Sequence, residues 1–180
     1  MTNEMEFLKR RIDRFEVKNA TISECADSLR RLGIRICSFE NLNRNQSSPL
    51  IFSDMTIAQI LERIIEINPG YRWDEPNIGL INIVPNKSVL DSPVPDTVVS
   101  SKGAWRLLED DLHISALGIL LFEEFGDTDG PTININLQNA DLRFALNAIV
   151  AQLEPMVWHI FGQPKAYYLS FTIVSMAAVV

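Results

Sequence analysis

The sequence predicts an α+β fold made of two tandem modules, each β-α-β-β-α-β-β with mixed sheets. Three observations predict it. The chain matches itself at a fixed offset of 85 residues, strand and helix periodicities alternate in the same order in both halves, and a proline-bearing stretch separates them. The modules that follow are residues 11–86 and 96–175, with 87–95 as the linker.

The offset carries a turn, a strand, a helix face and a tryptophan. Leu32-Gly33-Ile34 falls on Leu117-Gly118-Ile119, and Ile36 on Leu121. Leu50 and Phe52 meet Ile135 and Leu137. Ile57, Ile60, Leu61, Ile64 and Ile65 meet Leu142, Ala145, Leu146, Ile149 and Val150, and Trp73 meets Trp158. After the tryptophans the second copy is about five residues longer, which sets Ile83 on Ile173 and leaves a loop to absorb the change.

Taken in order, Phe15 and Val17 alternate with charges as a half-buried strand does. Thr21-Ile22-Ser23-Glu24 is a capping box, in which the Thr hydroxyl accepts from the N–H three residues on and Glu24 reaches back. The helix it opens sets Ile22, Cys25, Ala26, Leu29 and Leu32 on one face, and Gly33 supplies a left-handed stop. Ile34 and Ile36 begin a strand, 41–48 is a polar loop, and 49–53 is another strand. Asp54 or Thr56 caps a second helix that Pro69-Gly70 ends. Strands 71–74 and 78–84 close the module. In the second copy the same elements fall at 94–100, a helix at 103–116, a loop at 125–130, a strand at 132–137, a helix at 141–154, and strands at 156–160 and 166–173.

Composition bounds the function. A net charge of -7 and a pI near 4.8 give no basic field for phosphates, so nucleic acid is not a partner; Lys9, Arg10, Arg11 and Arg14 are read as a solvated lead-in. Cys25 and Cys37 are too few for a disulfide scaffold and fall on apolar faces, as buried free thiols do. Residues 1–6 are acidic, with no export signal among them, and the apolar stretch 167–180 is shorter than the ~20 residues of a membrane span. The compartment is the periplasm if an upstream signal was removed, and otherwise the cytoplasm.

Residues 15–85 resemble the short N-terminal signalling domain of secretins and TonB-dependent receptors, the secretin N0 type. The resemblance rests on Phe15-Glu16-Val17, the Thr-Ile-Ser-Glu-Cys-Ala-Asp-Ser-Leu helix from Thr21, and Leu32-Gly33-Ile34. It continues through Met55-Thr56-Ile57-Ala58-Gln59-Ile60-Leu61, the Tyr71–Trp73 strand and Ile81-Asn82-Ile83-Val84. Residues 117–173 resemble the latter two thirds of the same pattern. The glycine usual ahead of the second helix is absent, with Ser53-Asp54 in its place, and neither a barrel segment nor an export signal accompanies the modules. The resemblance implies a docking module that binds a partner protein, and it brings no catalytic residue with it.

The residues themselves point the same way. His113 and His159 stand 46 apart in unlike surroundings, Glu109-Asp110-Asp111 and Glu123-Glu124 read as solvated runs, and Asp127-Thr128-Asp129-Gly130 lacks the glycine and glutamate spacing of a calcium loop. No GxGxxG, P-loop, GxSxG or CxxC is present, so no cofactor, metal or catalytic residue is assigned. The sequons at Asn19, Asn45 and Asn86 are read as idle, and Trp73 and Trp158 as packing residues. The expectation is a non-catalytic interaction module, bound to another protein or to itself. Its pairing edge is placed on the long uncharged strand Ala166–Ile173, at Tyr168, Ser170 and Thr172. A structural protomer of a ring or sheath is the alternative. An enzyme, with a site between the copies built from residues 109–111 and His113 or His159, is the remaining one.

Overall fold

The computed structural model describes residues 4–42, 48–77, 79–122 and 130–174. Glu123-Glu124, the Asp127-Thr128-Asp129 turn and the Asn45 sequon lie outside them. The fold is α+β with mixed sheets, and the chain divides into two compact units, one holding Met1–Asn86 and the other Lys87–Ile173.

In the first unit a short helix, α1 (Glu4–Lys9), precedes β1 (Arg11–Val17), α2 (Ile22–Arg31), β2 (Arg35–Asn41), β3 (Leu50–Thr56), α3 (Ile57–Ile67), β4 (Tyr71–Asn77) and β5 (Leu80–Pro85). β1 and β3 pair antiparallel, with Phe15 opposite Phe52 and Val17 opposite Leu50. β5 lies between an antiparallel β4 and a parallel β2. The helices' apolar faces and the inward strand residues meet in one core that includes Phe15, Ile22, Leu29, Leu61, Ile64 and Ile83. Thr21 caps α2 as the sequence predicts, but the Glu24 carboxylate takes the Asn19 backbone N–H and side-chain amide instead of reaching back to Thr21. Thr56, not Asp54, caps α3, in a full capping box with Gln59.

The second unit runs β6 (Thr97–Gly103), α4 (Ala104–Arg106), β7 (Ile119–Leu121), β8 (Thr132–Leu137), α5 (Leu142–Gln152), β9 (Met156–Gln163) and β10 (Ala166–Ile173). The helix expected at 103–116 is broken. After α4 the chain widens into a π-turn, Leu107–Asp111, turns left-handed at His113 (φ 50°), and resumes as a 3₁₀ turn, Ile114–Leu117. Gly103 offers no side-chain cap to hold the start of a longer helix. The stretch expected as a linker belongs to this unit: Val89–Asp91 is a 3₁₀ turn with Leu90 buried, and Pro93 bridges to Asp141. The first strand lies at 97–103, three residues later than expected, and bulges between Val99 and Lys102.

Pairing for pairing, this unit has the connectivity of the first. β6 and β8 are antiparallel, and β10 lies between an antiparallel β9 and a parallel β7. Local bonds recur 85 residues on. Thr56 accepts from the Gln59 N–H and Asp141 from that of Phe144. The Asn68 carbonyl accepts from Tyr71 and the Leu153 carbonyl from Met156. Gly33 and Gly118, both at φ 75°, donate to the carbonyls of Arg30 and Ser115. The Trp73 indole donates to Glu62 at 3.0 Å, and that of Trp158 to Asn147 at 2.9 Å. Trp73 stands opposite Ile83 and Trp158 opposite Phe171; Ile36 stands opposite Ile81 and Leu121 opposite Leu169. Both registers put Phe171, not Ile173, at the place of Ile83, so the second hairpin is longer by three residues rather than five. Among the described residues no helix is long and apolar enough to cross a membrane.

Candidate interaction surface

The Lys102 ammonium lies 2.6 Å from Asp111 and 3.5 Å from Asp110, which ties the π-turn to β6 and holds Lys102 above its ordinary pKa, chiefly through the Asp111 bond. His113 is exposed at its left-handed turn, whereas the His159 ring leans on Phe161, centroids 5.3 Å apart. Among the described residues no group of three or more His, Cys, Asp or Glu is placed to hold a metal. Cys25 and Cys37 are buried and form no disulfide; burial first, and then Glu24 and Glu40, push the Cys25 thiol up to about 12, leaving almost no thiolate at neutral pH.

Cations of the first unit are engaged inside it. Arg11 pairs with Asp54 at 2.6 Å, Arg14 with Glu16 at 2.7 Å, and Arg10 donates to the Leu32 carbonyl at 3.0 Å. Arg30, almost wholly buried, is held by Asp27, the Ile36 carbonyl and the Ser38 hydroxyl. Burial lowers its pKa and the Asp27 carboxylate opposes the shift. An open groove of about 470 Å³ runs between β1 and α2, but its walls mix Glu16, Glu24 and Asp27 with Lys18 and Arg31, so it selects no sign of charge.

The second unit offers a different surface. β10 is not the free edge that its length and lack of charge suggest. It pairs with β9 from Ala166 to Ile173 and with β7 from Tyr167 to Leu169, so the backbone of Tyr168 has a strand on both sides. The reason is in the other half of its side chains: Leu169 and Phe171 alternate inward and are buried, and a strand with so apolar a face is pulled to the middle of its sheet. Tyr168, Ser170 and Thr172 therefore share a sheet face rather than an edge.

On that face Tyr168 has Phe161 as its partner across one strand and Leu120 across the other, and Ser170 has His159. The Phe161 and Tyr168 rings stack at 5.7 Å, and Phe122 meets Phe161 edge-on at 6.4 Å. Leu120 and Phe122 are each 51% exposed and Tyr168 38%. The opposite face carries Trp158, Ile160 and Phe171, all buried. Sequence reasoning reached Tyr168, Ser170 and Thr172 but missed Leu120, Phe122 and Phe161, which the fold brings beside them. The period-2 alternation of residues 157–161, with apolar residues on both faces, was the signal that could have found Phe161.

No family model, curated protein or solved structure matches this chain.

Proposed function

We propose that the chain is a non-catalytic protein–protein interaction protein, a tandem pair of modules of the short N-terminal secretin and TonB-dependent receptor type. The observation that carries the interaction reading is the face on which Leu120, Phe122 and Tyr168 are exposed around a half-buried Phe161, since soluble domains seldom leave clustered aromatic side chains to water without a use for them. The reading of a repeated module is supported by the shared strand connectivity and the bonds that recur 85 residues apart.

The absent glycine ahead of the second helix bears on the resemblance. Asp54 holds φ 53°, and Asn139, its counterpart, holds φ 50°. Asp and Asn tolerate the left-handed region best after glycine, so a glycine-type backbone persists without the glycine.

Ser170→Lys tests the surface. A lysine on this face should weaken partner binding or self-association while the melting temperature stays within a degree or two of wild type. Turnover of any substrate that is lost on His113→Ala or Glu109→Ala would overturn the non-catalytic reading.

A further inference from the structure

We propose that the aromatic face of the second unit binds a second copy of this chain, face to face about a two-fold axis. The inference rests on the interaction reading above and adds the identity of the partner.

Charge selects the occupant. The chain carries -7, so two copies repel over much of their surfaces, and a two-fold axis sets any charge near it against its own like-signed twin. Leu120, Phe122, Phe161, Tyr168, Ser170 and Thr172 carry no charge and His159, opposite Ser170, no negative one, which makes this face a place where two acidic copies meet without that penalty. A partner docking through acidic or basic side chains would find no counter-charge here and would leave its own charges desolvated. The covering surface has to be uncharged and aromatic, and the chain presents one.

Geometry agrees with self-pairing. The rings form a continuous cluster rather than isolated side chains: Phe122 edge-on to Phe161, Phe161 stacked on Tyr168, and Leu120 beside Tyr168 across the strand pair. A two-fold axis through such a cluster brings aromatic and aliphatic groups against one another, and offset or edge-to-face ring pairs are favourable in either order. The first unit shows what the module does with this face elsewhere. Cys37, Leu80, Asn82 and Val84, at the positions of Phe122, Tyr168, Ser170 and Thr172, are all fully buried.

The experiment is light scattering or sedimentation on the full chain from about 1 to about 100 µM. The wild type should show a dimer mass, and Phe122→Glu and Tyr168→Lys should each weaken dimerisation about tenfold or more with circular dichroism unchanged. Should Phe122→Glu fail to fold, Tyr168→Lys and Leu120→Ser, both at exposed positions, carry the same expectation. A dimer that survives these substitutions overturns the assignment of the face. A wild type that stays monomeric throughout overturns self-pairing. In that case, a foreign partner lost on Ser170→Lys leaves the interaction reading standing, and one unaffected by it removes that reading too.

Discussion

The outer sheet faces of the two units occupy the same positions in the same strand order and have opposite fates. In the first unit the row across β2, β5 and β4 is Cys37, Asn82 and Asp74, with Leu80 and Val84 flanking Asn82 on β5; Cys37, Leu80, Asn82 and Val84 are wholly buried, and the Asn82 amide donates to Asp74 at 2.9 Å. In the second unit the corresponding face carries Phe122 and Tyr168, both exposed, and Ser170 and His159, both half-buried. Backbone pairing, the caps of α3 and α5 and the tryptophan–helix bond are alike, so the fold does not require either outcome. The difference lies in the side chains of that one face, and that is where the interaction reading locates function.

The largest effects are expected where the units are alike. Leu61 and Leu146 are fully buried counterparts on α3 and α5, and Leu→Ala at either should cost about 2–5 kcal/mol. Urea denaturation giving under about 0.5 kcal/mol for both would mean that the helix faces are misassigned. The tryptophans sharpen the same point. Trp158→Phe strands the buried Asn147 oxygen and should cost about 1–3 kcal/mol. Trp73→Phe frees only the exposed Glu62 and should stay within about 0.5 kcal/mol, apart from the smaller ring.

Most of the shared framework was legible because it is periodic. The α3 and α5 faces, the Leu-Gly-Ile turns and the paired tryptophans each had a counterpart to be read against. Where the two units diverge, that logic is blind. Trp105 has no partner in the first half, yet its ring packs on Phe171 at 4.8 Å, and a Cβ on Gly130 would come within 2.5 Å of it. The helix expected at 103–116 failed for a related reason: its apolar spacing is helical, but a left-handed residue and an extra residue per turn at 107–111 are decided by packing, not by pattern. The misplaced edge at β10 came from reading absence of charge as exposure, when it is equally the mark of a central strand.

The hairpin glycines come next, since Gly162 lies within β9 and Gly79 at the turn between β4 and β5. Gly162, opposite Tyr167, sits at φ 144°, and a Cβ there would lie 2.3 Å from the Ala166 carbonyl oxygen and 2.9 Å from the Tyr167 Cα. Gly79 in the first hairpin sits at φ 74° with nothing within 4 Å of a Cβ. Gly162→Ala should cost about 2–3 kcal/mol, from strain and from backbone that cannot yield cheaply. Gly79→Ala should cost about 1 kcal/mol, from φ alone. Thermal melts that rank the two in the other order would show that the longer hairpin absorbs the clash.

The smallest effects are electrostatic, and they divide between the units. In the first, the Asn19 side chain and then its backbone N–H hold the Glu24 carboxyl below its ordinary pKa, and Arg11 does the same for Asp54. A carboxyl depressed in the folded state stabilises it above the unfolded carboxylate range of about 4, and that stability is lost as pH falls through the folded pKa. In the second unit Lys102 is raised, so its stabilisation is complete below the unfolded lysine value of about 10.4 and is lost as pH rises through the folded one. The acid limb of the stability profile therefore draws on Glu24 and Asp54 of the first unit, and the second unit contributes to the alkaline limb through Lys102. Urea midpoints taken from about pH 3 to about pH 11 should show Glu24→Gln flattening one part of the acid limb, Asp54→Asn another, and Lys102→Met touching only the alkaline side. All these groups are exposed enough for salt to screen them, so the limbs should shrink together as ionic strength rises toward about 1 M. An acid limb unchanged by Glu24→Gln would mean that the Asn19 contacts do not hold that carboxyl in solution, and with them would go the account of how α2 begins.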